Sequence, residues 1–245
     1  MRQIVTLAFV LALCALLSAC GSSAPSTSTP STTTTTSPPP STAKGQLAAM
    51  RSAANGQHSV HFVSVSSAPG HTIRIVADVA GKEGILRITV TDHGQTGTGT
   101  SIVSGGIAFL RGDAFWMRVY FGFTRKQATK YAGRWISVPS SHPAYATASD
   151  EVTFPSFLAR LFAPQTKLAL VKAGKLVGVR GTVRGQAGVA SSTIYAPAQG
   201  KALPVKQVAK SSGALGNGTV TMSNWNEAVH VSEPTAVSIS TVVGG

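Results

Sequence analysis

Cysteine is scarce in this chain. The 245 residues hold two, Cys14 and Cys20, both within the first twenty positions. Downstream of them no disulfide, no thiolate-bound zinc and no catalytic thiol can form. Carboxylates are also few: 8 Asp and Glu stand against 21 Lys and Arg, a formal net charge of +13. Long apolar runs are missing as well. The stretch Ile4 to Leu17 falls short of the ~20 residues that cross a bilayer, so no spanning helix is expected.

Arg2, the apolar run and the closing Leu17-Ser18-Ala19-Cys20 have the parts of an export signal. Leu-Ser-Ala-Cys resembles the bacterial lipobox, whose cysteine thiol receives a diacylglycerol before cleavage. That resemblance implies that residues 1–19 are a lipoprotein signal peptide, that Cys20 is acylated, and that Gly21 follows it in the mature chain. The expected location is then the outer face of a cell membrane, in the envelope. Several acyl chains, at about 0.8 kcal/mol per buried methylene, hold a protein there stably. A plain signal peptide with an incidental Cys20 is the alternative.

Ser22 to Thr42 contains only Ser, Thr, Pro and Ala. Such a tract has nothing to bury. Residues 20–42 are therefore expected to be a lipidated cysteine and a disordered stalk, reaching roughly 25 to 65 Å. Residues 43–245 suit one domain with a sizeable core. The excess positive charge has two readings, a merely soluble basic surface or a partner among anionic lipid headgroups or cell-wall polymers. Nucleic acid is not expected of an exported chain whose basic residues are scattered along the sequence.

Leu47, Met50 and Ala54 share one helical face, and Asn55-Gly56 is a stop. The period then changes to two. Ile73, Ile75 and Val79 alternate with Thr72, Arg74 and Asp78; Leu86, Ile88 and Val90 alternate with Arg87, Thr89 and Thr91. Alternation between turn residues predicts half-buried antiparallel strands. Further strand runs are read at Ile102–Leu110 and Ala114–Tyr120. Thr124 with Gln127 is a capping-box pattern opening a short helix that Gly133 ends. A second apolar helix is read from Pro155 to Phe162, Pro being acceptable in the first turn. Strands resume at Lys167–Leu170, Leu176–Val183, Ser191–Tyr195, Leu203–Ala209, Gly218–Ser223 and Val237–Thr241. The count is ten or eleven strands and two or three helices, with no helix between each pair of strands. That excludes a doubly wound parallel sheet and points to an α+β fold, one large curved antiparallel sheet wrapped over its helices.

The segment Tyr120 to Pro139, ending Ala132-Gly133-Arg134-Trp135-Ile136-Ser137-Val138-Pro139, resembles the "AGxWxxVP" stretch of the LppX/LprG group. These are actinobacterial envelope lipoproteins related to the LolA/LolB lipoprotein carriers. Leu203-Pro204-Val205, and Val220 to Trp225 running on to Glu233-Pro234, also fit that pattern, although Glu233 replaces the usual small residue before Pro. The resemblance implies an unclosed half-barrel with an apolar cavity for acyl chains, and a lipid, glycolipid or other amphiphile as ligand, in some members carried across the envelope. Inward-facing candidates for that cavity are Phe62, Ile73, Ile75, Leu86, Ile88, Val90, Phe115, Met117, Phe157, Leu161 and Phe162. The competing reading is that the same side chains form an ordinary core, and that the chain is an interaction module docking a membrane, cell-wall or protein partner. Trp135 is expected to anchor a corner, and Phe109, Phe121 and Phe123 to flank an entrance.

No catalytic constellation is read. Asp150 and Glu151 are adjacent and face different ways; they suit the approach to the helix near Pro155. His58, His61, His71 and His93 have no metal spacing and no carboxylate partner apparent in the sequence, so neither a metal nor a cofactor is expected. No Gly-x-Ser-x-Gly elbow occurs. Gly97-Thr98-Gly99 and Gly105-Gly106 are read as turns or bulges, and Asn217-Gly218 as a hairpin turn rather than a glycosylation site.

Overall fold

The computed structural model describes residues 40–149, 152–185, 188–211 and 216–243. Cys20, the signal, most of the stalk and the Asp150-Glu151 pair lie outside the described residues.

The chain opens with α1 (Ala43–Asn55), whose N-cap Thr42 accepts the Gly45 amide and which stops at Gly56 as its sequence dictates. Five strands follow as a meander: β1 (Ser59–Ala68), β2 (His71–Ala80), β3 (Glu83–Asp92), β4 (Gln95–Ser104) and β5 (Ile107–Gly112). Next come α2 (Ala114–Phe121), α3 (Arg125–Tyr131), β6 (Ile136–Pro139), α4 (Tyr145–Ser149) and α5 (Phe154–Leu161). A second meander contains β7 (Thr166–Ala173), β8 (Leu176–Gly185), β9 (Gly188–Pro197), β10 (Lys206–Ser211) and β11 (Asn217–Ser223). Two short elements close the chain, β12 (Val237–Ser238) and α6 (Ile239–Val243).

The two meanders join side by side through β1 and β11, giving the strand order β12-β6-β5-β4-β3-β2-β1-β11-β10-β9-β8-β7. The result is the expected α+β class, a curved, unclosed sheet of twelve strands among the described residues. One pair departs from the antiparallel rule, since β12 runs parallel to β6.

Several elements differ from the expectation read in sequence. Residues 114–120 form a helix, not a strand. Asp113 caps it by accepting the Trp116 amide at 2.8 Å, and Gly122 ends it with φ +64°. A short apolar run fits either period, and the caps decide. Val237–Thr241 is a two-residue strand turning into α6. The strand expected from Leu203 begins only at Lys206, after Pro204. Asn217-Gly218 is not a turn but opens β11, paired with Ser67 and Ser66. Gly105-Gly106 is the β4–β5 turn, both at positive φ.

The helices cover the concave face. Cross-strand rows on that face are Val60–Val79–Gly84–Val103–Ala108, then Phe62–Ala77–Leu86–Ser101–Leu110, then Ser64–Ile75–Ile88–Gly99–Gly112, then Ser66–Ile73–Val90–Gly97. The first two rows are closed off from solvent; at the last two, Ile73 and Ile75 stay half-exposed. Burying one such aliphatic or Phe side chain contributes about 1.5–3 kcal/mol.

Candidate ligand-binding faces of the sheet

Of the eleven inward candidates, Phe62, Leu86, Ile88, Val90, Met117, Phe157, Leu161 and Phe162 are buried in one hydrophobic cluster. Ile73, Ile75 and Phe115 pack against it, partly buried. All eleven thus belong to that cluster or pack against it. Aromatic side chains fill part of the space between sheet and helices. The Phe62 ring stacks on Phe157 of α5 at 4.7 Å, and Phe157 and Phe154 both meet Trp225 edge-on.

The densest filling is Trp116 of α2. Its indole lies on a floor of glycine. A Cβ at Gly99 would come within 2.6 Å of Trp116 Cζ2, and one at Gly112 within 2.9 Å of Cδ2; both would lie closer still to other ring atoms. Beside it, a Cβ at Gly97 would come within 2.6 Å of Phe115 Cδ1. These glycines are not turns: Gly97 and Gly99 are regular β4 positions whose missing side chains make a socket. Tyr120 and Phe121 stack around the same indole at 5.7 and 5.1 Å, and Phe123 follows at 6.3 Å from Phe121. Phe109 does not share this group, because the register turns it to the convex face with Ile102. Trp116 Nε1 is buried without a hydrogen-bond partner, as are Gln46 Oε1 and Gln165 Oε1. A buried unpaired donor costs about 1–3 kcal/mol. The sequence reading missed Trp116, and the Gly-x-Gly beneath it was the available signal.

The convex face has two hollows. The smaller, about 260 Å³, includes His61, Asp78, Arg87, Glu227 and His230 in its lining. Here the structure corrects the reading that these histidines lack a carboxylate. His61 Nδ1 lies 2.7 Å from Asp78 Oδ1, directly across from it in the β1–β2 register. His71 and His93 approach Asp92 at 3.5 and 3.8 Å. No Ser, Thr or Cys lines the His61 hollow, so the dyad faces no nucleophile there. Among the described residues no three His, Cys, Asp or Glu side chains cluster to hold a metal.

The larger hollow, about 760 Å³, spans β2 to β5 and is lined by Arg74, Arg87 and Arg111 with Thr89, Thr98 and Thr100. Three of the basic residues that look scattered in sequence are gathered here. Trp135 borders this face, with the Arg111 guanidinium 4.8 Å above its ring, so it acts as a corner residue that also orients a cation.

No family model matches the chain, and no curated protein matches it by sequence. Among solved structures, LprF from Mycobacterium bovis superimposes with a TM-score of 0.50 at 17% identity, covering 79% of this chain and 97% of that one. The fold is of the LppX/LprG type. In this LppX/LprG-type fold the half-barrel's concave side is packed around Phe62 and Trp116, whereas the two hollows described open on the convex side. No helix of the described residues is long and apolar enough to cross a membrane.

Proposed function

We propose that the chain is an exported envelope lipoprotein, anchored on the outer face of a membrane through acylated Cys20 and spaced from it by residues 22–42. Its folded part binds the acyl tail of a lipid, glycolipid or other amphiphile on the concave face of the sheet, without catalysis. The observation that carries the reading is the seat of Trp116. A large side chain fills the half-barrel over a bare glycine floor and leaves its own N–H unpaired. It borders the rows where Ile73 and Ile75 are incompletely covered. Such filling is displaceable, since the glycines interlock with nothing once the indole leaves. A tail replacing it would bury comparable apolar area at about 25 cal/mol per Å², and a polar group near its head would satisfy Trp116 Nε1.

Mass spectrometry of the protein purified from a native-like host tests this: a co-purifying lipid is expected. A delipidated chain that binds no fluorescent fatty acid, either unaltered or with Trp116→Leu, would overturn it. A second reading, a docking module with a permanently filled interior, is favoured by the convex position of both hollows. It predicts partner capture that is indifferent to substitution at Trp116.

A further inference from the structure

We infer that the convex hollow over β2 to β5 is an anion site that takes a phosphate group, separate from the concave face and independent of whether a tail binds there. Strand register builds it. Arg111, Thr100 and Arg87 are consecutive partners across β5, β4 and β3, and Thr98, Thr89 and Arg74 are consecutive partners across β4, β3 and β2. Arg87 and Arg111 are thus two strands apart, roughly 10 Å in the backbone, and Arg74 sits diagonally from Arg87, roughly 7–8 Å away. All three guanidiniums are exposed and converge on one hollow of about 760 Å³.

Three like charges at such spacing repel, and the carboxylates nearby offset them only in part: Asp78 lies diagonally from Arg87, as Arg74 does, but is engaged by His61 at 2.7 Å. Among the described residues none of the three makes an ion pair; the pairs present join His61, His71 and His93 to Asp78 and Asp92. The one carboxylate in the lining, Asp113, is committed. Its Oδ1 accepts the Trp116 amide at the start of α2, and its Oδ2 accepts the Thr98 amide and hydroxyl. Arg111 lies over Trp135 at 4.8 Å, a contact that limits where its guanidinium can move. Thr89 and Thr100 have no side-chain hydrogen bond among the described residues and line the same hollow, so their hydroxyls are available as neutral donors. Planar guanidinium forks pair bidentately with phosphate oxygens, and the flanking hydroxyls are donors for the further oxygens that a tetrahedral phosphate has and a carboxylate lacks. A phosphate on a lipid headgroup and a free phosphate share this chemistry, and the experiment separates them.

The full chain with Cys20→Ser, which removes the acyl anchor, is mixed with vesicles of phosphatidylcholine alone, whose phosphate is neutralised by its choline, or with phosphatidylglycerol, whose phosphate is not, at about one lipid in three. The readout is the ratio of association between the two. A headgroup site predicts that the ratio falls about fivefold for each Arg→Gln among R74Q, R87Q and R111Q, and about a hundredfold for all three. A charge-matched control, K172Q/K206Q/K210Q on β7 and β10, is expected to change it less than threefold. Calorimetry with inorganic phosphate supplies the second arm: binding that the triple arginine variant abolishes, with an unchanged vesicle ratio, assigns the site to a free phosphate. If the lysine control costs as much as the arginine variant, or if neither probe distinguishes the arginine variant from its parent, the site does not exist.

Discussion

Gly99→Ala places a methyl group beneath the indole of Trp116. The new Cβ would lie 2.6 Å from Cζ2 and nearer to Cε2 and Cδ2, whereas carbon atoms rest at about 3.5–4.0 Å. The ring must therefore withdraw by roughly 1 Å or more, against Tyr120 stacked on it and Phe121 tilted beside it. Overpacking of this kind costs about 1–3 kcal/mol. The loss of unfolded-chain freedom on replacing glycine returns about 0.4–1 kcal/mol. The net expectation is a destabilisation of up to roughly 2.6 kcal/mol, centred on about 1.3, or a fall in Tm of up to roughly 10 °C for a domain of this size. The decisive assay is a double-mutant cycle by urea denaturation with Trp116→Leu. In the leucine background the clash is gone, so Gly99→Ala becomes neutral or stabilising. Equal costs in both backgrounds would refute the socket. The same substitution also bears on function. If a tail must displace the indole, weakening the filled state by about 1.4 kcal/mol raises fatty-acid affinity about tenfold; unchanged affinity would detach ligand uptake from Trp116.

Other outcomes are as definite. Phe157→Ala removes the ring stacked on Phe62 at 4.7 Å and is expected to cost about 3–5 kcal/mol, read as a shift of the urea midpoint. Thr124→Ala breaks the capping box in which Thr124 and Gln127 satisfy each other's amides; about 1 kcal/mol is expected. Because Gln127 also donates to the Val242 carbonyl, faster hydrogen exchange across α6 should accompany that change. Cys20→Ser should abolish palmitate labelling and move the protein from the membrane fraction to the soluble one; retention of label would remove Cys20 from the anchor.

Much of the secondary structure is legible in the residues themselves. Leu47, Met50 and Ala54 with a stop at Asn55-Gly56, the Thr124–Gln127 box, and the alternation in β2 and β3 all specify local geometry through local rules, and the structure follows them. The main failure, α2, has a physical cause. Phe-Trp-Met-Arg-Val-Tyr is apolar on every side and carries β-favouring residues, so periodicity does not choose. Asp113 and Gly122, spaced as caps, were the discriminating signals. Gly97 and Gly99 mislead for a related reason: glycine marks a turn when backbone torsion demands it, but here β4 continues and the glycines yield space to a ring from another element.

The sequence by itself determined the order and type of most elements and the apolar face of each strand. Only the tertiary structure decided which side chains meet across strands. It placed His61 opposite Asp78, seated Trp116 on the bare backbone of two strands, and gathered Arg74, Arg87 and Arg111 over one hollow. A period of two residues tells a strand which way its side chains face, but not which residue of a neighbouring strand each will face. Register is set by turns and by packing between residues distant in the chain, and both the concave filling and the convex charge cluster are products of that register.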